Sequence, residues 1–243
     1  MTRVLLALMV VACHHEPPHV SVGVAASLRY AMPDVVAAYE KKSGVTIDVT
    51  YGASDAIGDQ LAHGAALDAL VVADAVALDR QIAARTIDES SRREVATNAI
   101  VLIGPPGSTP TFATLATLHV GTKIAIGDPA TVPVGRYAKQ YLESLGEWST
   151  LEPQLIYGGD VAGVLALAKQ GRARLAVVYR TDARAAAPLV VLDDPPDAPK
   201  ASVVAGIATH SKHAAAARAF TEFLASPEGH EILARYGFGP PRS

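Results

Sequence analysis

The chain is short of several things that other kinds of protein need. Cysteine occurs once in 243 residues, as Cys13, so an intrachain disulfide is excluded. Aromatic side chains make up 5% of the chain and the formal net charge is -3. That balance provides no basic surface for nucleic acid. It does not advertise an anion binder either, so an anion would have to be attracted by local geometry rather than by bulk charge. Catalytic signatures are missing as well. There is no G-x-S-x-G turn for a serine nucleophile. There is no G-x-x-x-x-G-K loop followed by Ser or Thr, and no G-x-G-x-x-G after a strand. Beyond residue 19 the histidines are His63, His119, His210, His213 and His230, and none has H-E-x-x-H spacing. Neither an enzyme nor a bound metal or cofactor is expected.

Apolar runs long enough to span a bilayer are also lacking, since a helix needs about 20 such residues. Residues 4–12 are nine apolar residues after Arg3, ending Val10-Val11-Ala12-Cys13 and followed by HHEPPH over 14–19. The run fits the apolar region of an export signal. Small residues directly before a cysteine resemble the lipobox of bacterial lipoproteins, which implies that Cys13 is lipidated and becomes the mature N-terminus. An ordinary signal peptide with an incidental cysteine is the alternative. His14, His15 and His19 read as part of a solvated tether, because prolines interrupt them. Residues 1–19 are therefore expected to be signal and tether. The body is expected to be a soluble monomeric globule on the periplasmic or extracellular face, held by a lipid anchor.

The body alternates between strand-like and helix-like patterns. Strands are expected over 20–25, 45–51, 67–73 and 98–103, with helices over 28–42 and 56–64. A second block places strands at 123–126, 154–157, 175–179 and 189–192. Its helices fall at 133–146, with Pro at the start and Gly at the end, and at 161–170. A strand over 203–208 and helices over 212–224 and 227–236 close the chain. Strands alternating with helices imply an α/β fold whose mostly parallel sheets are covered on both faces. Two such blocks predict two lobes, residues 20–98 plus 203–243 and residues 99–202, with a cleft between them.

One pattern recurs: an apolar strand, a short loop of small or polar residues, then a helix. It occurs at VSVGVAASLRYA (20–31), VTYGASDAIGDQL (49–61), KIAIGDPATVPVGRYAKQ (123–140) and LIYGGDVAGVLALAKQG (155–171). Ligands of open α/β sheets collect beyond the carboxyl ends of strands. Each following helix offers free N–H groups and partial positive charge there. Several such ends form an anion site without lysine or arginine. Ser27 and Ser54 stand at two junctions, either as hydroxyl donors to a ligand or as simple helix caps.

At these junctions the sequence resembles the molybdate-binding proteins of ABC transporters, which are type II periplasmic solute-binding proteins. The resemblance runs through Ala25-Ala26-Ser27-Leu28, YGASDAIGDQLAHGAALDALVVAD (51–74), GDPATVPVGRYAKQYLESLGEW (127–148), GGDVAGVLALAKQGRARLAVVYRTDA (158–183) and the tail FLASPEG and ILARYGF (223–229, 232–238). It implies a two-lobed fold that binds molybdate or tungstate in the cleft through neutral donors and delivers it to a membrane permease. By motif the donors are Ser27, Ser54, Val134, Val161 and Tyr179, with the two valines giving only backbone N–H groups. The second serine of the family's pair is replaced here by Asp55. Arg29, Arg136 and Arg180 lie close to site loops; they are either simply solvated, or one of them offsets Asp55 or contacts the anion. A sensory or scavenging lipoprotein binding sulfate or phosphate, uncoupled from transport, is the second reading.

Overall fold

The computed structural model describes residues 19–242. Cys13 and the proposed export signal lie outside the described residues. Along β1 (His19–Ala25), Val20, Val22, Val24 and Ala25 are all buried. Burial on both faces is what an inner strand of a helix-covered sheet requires. β1 pairs in parallel with β2 (Thr46–Gly52) on one side and β3 (Ala69–Val72) on the other. α1 (Met32–Ser43) links β1 to β2, and Pro33 falls in its first turn, where its missing N–H has no intrahelical partner. α2 (Ser54–Ala62) links β2 to β3. His19, expected in the tether, instead opens β1, and its Nε2 lies 2.8 Å from an Asp48 carboxylate oxygen.

After β3 comes α3 (Ala75–Ala83), a helix the sequence pattern does not reveal. Its apolar residues continue directly from those of β3, so the change of period is masked. Only Asp74 marks the boundary, accepting the Val76 N–H at 3.0 Å as the N-cap.

The twelve-residue strand β4 (Arg93–Gly104) joins the two halves of the molecule. Residues 93–99 pair antiparallel with β9 (Lys200–Ile207). Residues 100–103 pair antiparallel with β7 (Leu175–Tyr179), and residues 102–104 with β8 (Val190–Asp193). Beyond β7 lie β5 (Ile124–Gly127) and β6 (Leu155–Gly158), both in parallel pairings. The order is β2-β1-β3-β9-β4-β7-β5-β6, with β8 added to β4. The outer pairings are parallel, as the alternation of strand and helix predicts. Every pairing that involves β4 or β9 is antiparallel, because those strands carry the chain between the halves. Lys200, Ala201 and Ser202, expected with the second lobe, pair with Ala99, Asn98 and Thr97 of β4.

Helices cover both faces of each half. α1, α8 (Ala214–Leu224) and α9 (Pro227–Ala234) close one face of the first half around Phe220, Tyr39 and Leu28, with the Tyr39 and Phe220 rings 5.2 Å apart. α2 and α3 close the other face around Ile57, Leu70 and Leu78. In the second half α4 (Pro133–Ser144) and the short α5 (Trp148–Leu151) cover one face, and α6 (Val161–Lys169) covers the other. A one-turn helix, α7 (Arg180–Ala183), follows β7 directly. Among the described residues no helix is long and apolar enough to cross a membrane.

Candidate functional site

β1, β2 and β3 are parallel neighbours, so the residues that follow them gather at one end of the first half. Ser27 lies in a single 3-10 turn over Ala26–Leu28, straight after β1. Its hydroxyl oxygen is buried and has no hydrogen-bond partner among the described residues. Ser54 is the first residue of α2, but Ala53 is the N-cap and no side chain caps that helix. Ser54 Oγ instead accepts the Ala73 N–H at 3.2 Å, across from β3. Helix capping therefore accounts for neither serine. Ser54 keeps its own hydroxyl proton to donate.

The second half presents its donors through helix starts. Gly135 and Arg136 N–H groups return to the Val132 carbonyl at 3.0 and 3.1 Å, while no partner takes the Val134 N–H among the described residues. In α6 the Asp160 carboxylate caps the Gly163 N–H at 2.7 Å. The Val161 N–H likewise has no partner among the described residues. Both are first-turn amides, which a helix cannot satisfy internally. The valine side chains face inward: Val134 is fully buried, and Val161 and Tyr179 pack against the same core cluster.

Tyr179 ends β7. Burial pushes its hydroxyl well above the ordinary tyrosine range, and the nearby Tyr137, Asp182 and Asp74 add to the rise while Arg136 opposes it. The group stays protonated at physiological pH and is a donor. The Tyr137 ring stands edge-on to Tyr179 with centroids 6.5 Å apart. Tyr137 is raised first by burial and then by Asp74, a residue of the first half. The Asp74 charge thus acts on two tyrosines of the second half.

The charged neighbours sort differently from expectation. Asp55 is held by Arg80 of α3, in an exposed ion pair. None of Arg29, Arg136 and Arg180 offsets it. Arg29 Nε donates to the Ala26 carbonyl at 3.0 Å. Arg180 pairs with Asp194. Arg136 stands on the exposed side of α4, where its charge acts on Tyr137 and Tyr179. Sequence reasoning missed Asp74 and Tyr137. Asp74 could have been found as the residue that closes the β3 segment, and Tyr137 as the residue one turn after Val134.

Asp182 in α7 is raised from 3.8 to about 6 by burial. Its folded value exceeds its unfolded one, so the ionised form costs stability above pH 6 and the cost fades as pH falls toward 4. A rise from 3.8 to about 6 corresponds to about 3 kcal/mol at most. Asp182→Asn is expected to stabilise the fold by about 1–2 kcal/mol at pH 8 and by nothing measurable at pH 4. Urea midpoints at the two pH values check this; an equal change at both removes the assignment.

Comparison with known proteins identifies the family of the chain. A family model described as bacterial extracellular solute-binding protein matches residues 20–239. Molybdate-binding protein ModA of Escherichia coli is 34% identical over 226 residues, covering 90% of this chain and 88% of its own length. The Bacillus subtilis protein YvgL, provisionally named an ABC transporter substrate-binding lipoprotein, is 30% identical and covers 90% of this chain and 85% of its own. Among solved structures, one from Clostridium difficile is provisionally named the substrate binding domain of a molybdenum ABC transporter. It superposes with a TM-score of 0.83 at 27% identity, over 92% of this chain and 99% of its own.

Proposed function

Because the chain belongs to the bacterial extracellular solute-binding proteins, a family of binding proteins and not of enzymes, we propose that it captures molybdate between two lobes and passes it to the permease of an ABC importer. Tungstate, a dianion of nearly the same size, is bound by the same groups. The donors are the hydroxyls of Ser27, Ser54 and Tyr179 and the N–H groups of Val134 and Val161. One observation carries the reading: a serine hydroxyl buried at the end of β1 with no partner among the described residues. Leaving such a group unpaired costs about 1–3 kcal/mol, and an oxyanion at the cleft supplies the acceptor.

With Ala99 paired to Lys200 and Ile100 to Tyr179, the lobes are residues 20–99 plus 200–242 and residues 100–199. They pivot where β4 changes partners, between Ala99 and Ile100, and at the return connection between β8 and β9. Closing them brings the two facing donor sets onto one anion. Lipidation at Cys13 keeps the protein outside the cytoplasm and beside its permease. The match to YvgL supports that part of the reading.

A donor-only site favours fully deprotonated anions and rejects hydrogen phosphate, whose proton needs an acceptor. Asp74 offers one such acceptor. It therefore supports a second reading, a scavenging or sensory lipoprotein that binds hydrogen phosphate without a transporter. Calorimetry with molybdate, tungstate, sulfate and phosphate separates the two. Molybdate and tungstate are expected to bind with similar, high affinity and phosphate not at all. Tight phosphate binding without molybdate heat would overturn the first reading.

A further inference from the structure

The C-terminal tail wraps the strand on which the two halves meet. After α9 the chain turns at Gly237, whose φ of 92° lies in the left-handed region. A Cβ there would come within 3.3 Å of the Arg180 backbone, so the turn lies directly against α7 of the other half. Gly239 then bonds Thr97 on the edge of β4 away from β9: Thr97 N–H donates to the Gly239 carbonyl at 2.9 Å, and Gly239 N–H to the Thr97 carbonyl at 2.7 Å. The Thr97 hydroxyl donates to the Pro240 carbonyl at 2.9 Å.

Arg242 closes the wrap. Its backbone N–H donates to Glu94 at 2.7 Å and its guanidinium donates to both Glu94 oxygens, the shortest contact being 2.8 Å. The same guanidinium donates to the Ser202 hydroxyl on β9. One side chain thus ties the chain end to both strands that carry the chain between the halves. Burial alone would raise the Glu94 carboxyl, yet the Arg242 hydrogen bonds hold it below the ordinary range. From the second half, Arg184 donates to the Arg235 carbonyl and lies 4.8 Å over the Tyr236 ring.

We propose that residues 235–242 are a strap, locked by Arg242 to Glu94 and Ser202 and gripped by Arg184, that confines interlobe bending to the bonds between Ala99 and Ile100. The strap regulates the site of the proposed function, and its effect on affinity rests on that reading. Freeing it lets the bend spread along β4. More open arrangements then become accessible, while the liganded closed form is held by its anion. The open state gains entropy and apparent affinity falls.

The test uses full-length variants Arg242→Ala, Arg242→Lys and Arg184→Ala, with Arg93→Ala as control because it breaks only the exposed Arg93–Glu222 pair on the same strand. Without ligand, Arg242→Ala should exchange the amides of residues 94–103 about tenfold faster than wild type, with global stability little changed. Its small-angle scattering should show a larger mean radius. Molybdate affinity should fall about five- to tenfold in Arg242→Ala and in Arg184→Ala. Arg242→Lys keeps the charge but not the paired geometry and should restore only part. Wild-type exchange and radius in Arg242→Ala would overturn the strap whatever binds. Faster exchange and a larger radius establish the strap even if no variant, wild type included, binds molybdate, which would overturn the ligand reading alone.

Discussion

Replacing both Ser27 and Ser54 by alanine should remove molybdate binding from calorimetric detection while the protein remains folded. A hydrogen bond to a charged group is worth about 1.5–3 kcal/mol. Losing two of them weakens binding by about a hundred- to ten-thousandfold. The single variants separate binding from folding, because the two hydroxyls are used differently in the ligand-free protein. Ser27 Oγ is buried without a partner among the described residues, so Ser27→Ala should leave the melting temperature unchanged or slightly higher. Ser54 Oγ accepts the Ala73 N–H at 3.2 Å, so Ser54→Ala should lower stability by about 1 kcal/mol. Opposite stability effects with a common loss of affinity are hard to obtain from residues that act only on folding. Wild-type affinity in the double variant would end the role assigned to both.

Gly135→Ala should be the most damaging single substitution at the cleft. A Cβ at Gly135 would lie 2.1 Å from the Gly127 carbonyl oxygen and 2.5 Å from its carbon. Both atoms belong to the backbone at the end of β5, and neither can turn aside as a side chain would. α4 must withdraw from the strand, and the Val134 N–H withdraws with it. The expected cost is about 3 kcal/mol or more, read as a lower urea midpoint, together with lost molybdate heat. Gly159→Ala is the control in the same region, since a Cβ there meets nothing within 4 Å. It should change stability by less than about 0.5 kcal/mol. A wild-type midpoint for Gly135→Ala would show that α4 is not seated as tightly as its glycine implies.

Most helices and strands were legible because their apolar residues repeat at one period between clear stops. Pro133 opens α4 and Gly44 closes α1, as their chemistry predicts. α3 was not legible, since the apolar run of β3 flows into it. Only half of β4 was expected. Its first five residues read REVAT, in which Arg93, Glu94 and Thr97 look like loop. Polar residues are needed there because Thr97 holds the tail and Glu94 holds Arg242.

By itself the sequence determined the alternation of strand and helix, the four strand–loop–helix junctions and the absence of catalytic and metal motifs. All of these are properties of neighbouring residues, and neighbouring residues are what a sequence displays. Only the tertiary structure decided that Asp55 belongs to Arg80, that the Asp74 charge acts on tyrosines of the other half, that β4 and β9 run antiparallel to their partners and that the chain end clasps both. Each of these depends on atoms brought together across many residues: Arg242 meets Glu94 across 148 positions. Which carboxylate an arginine finds over such a span is fixed by how the sheet is ordered, and no local pattern records that order.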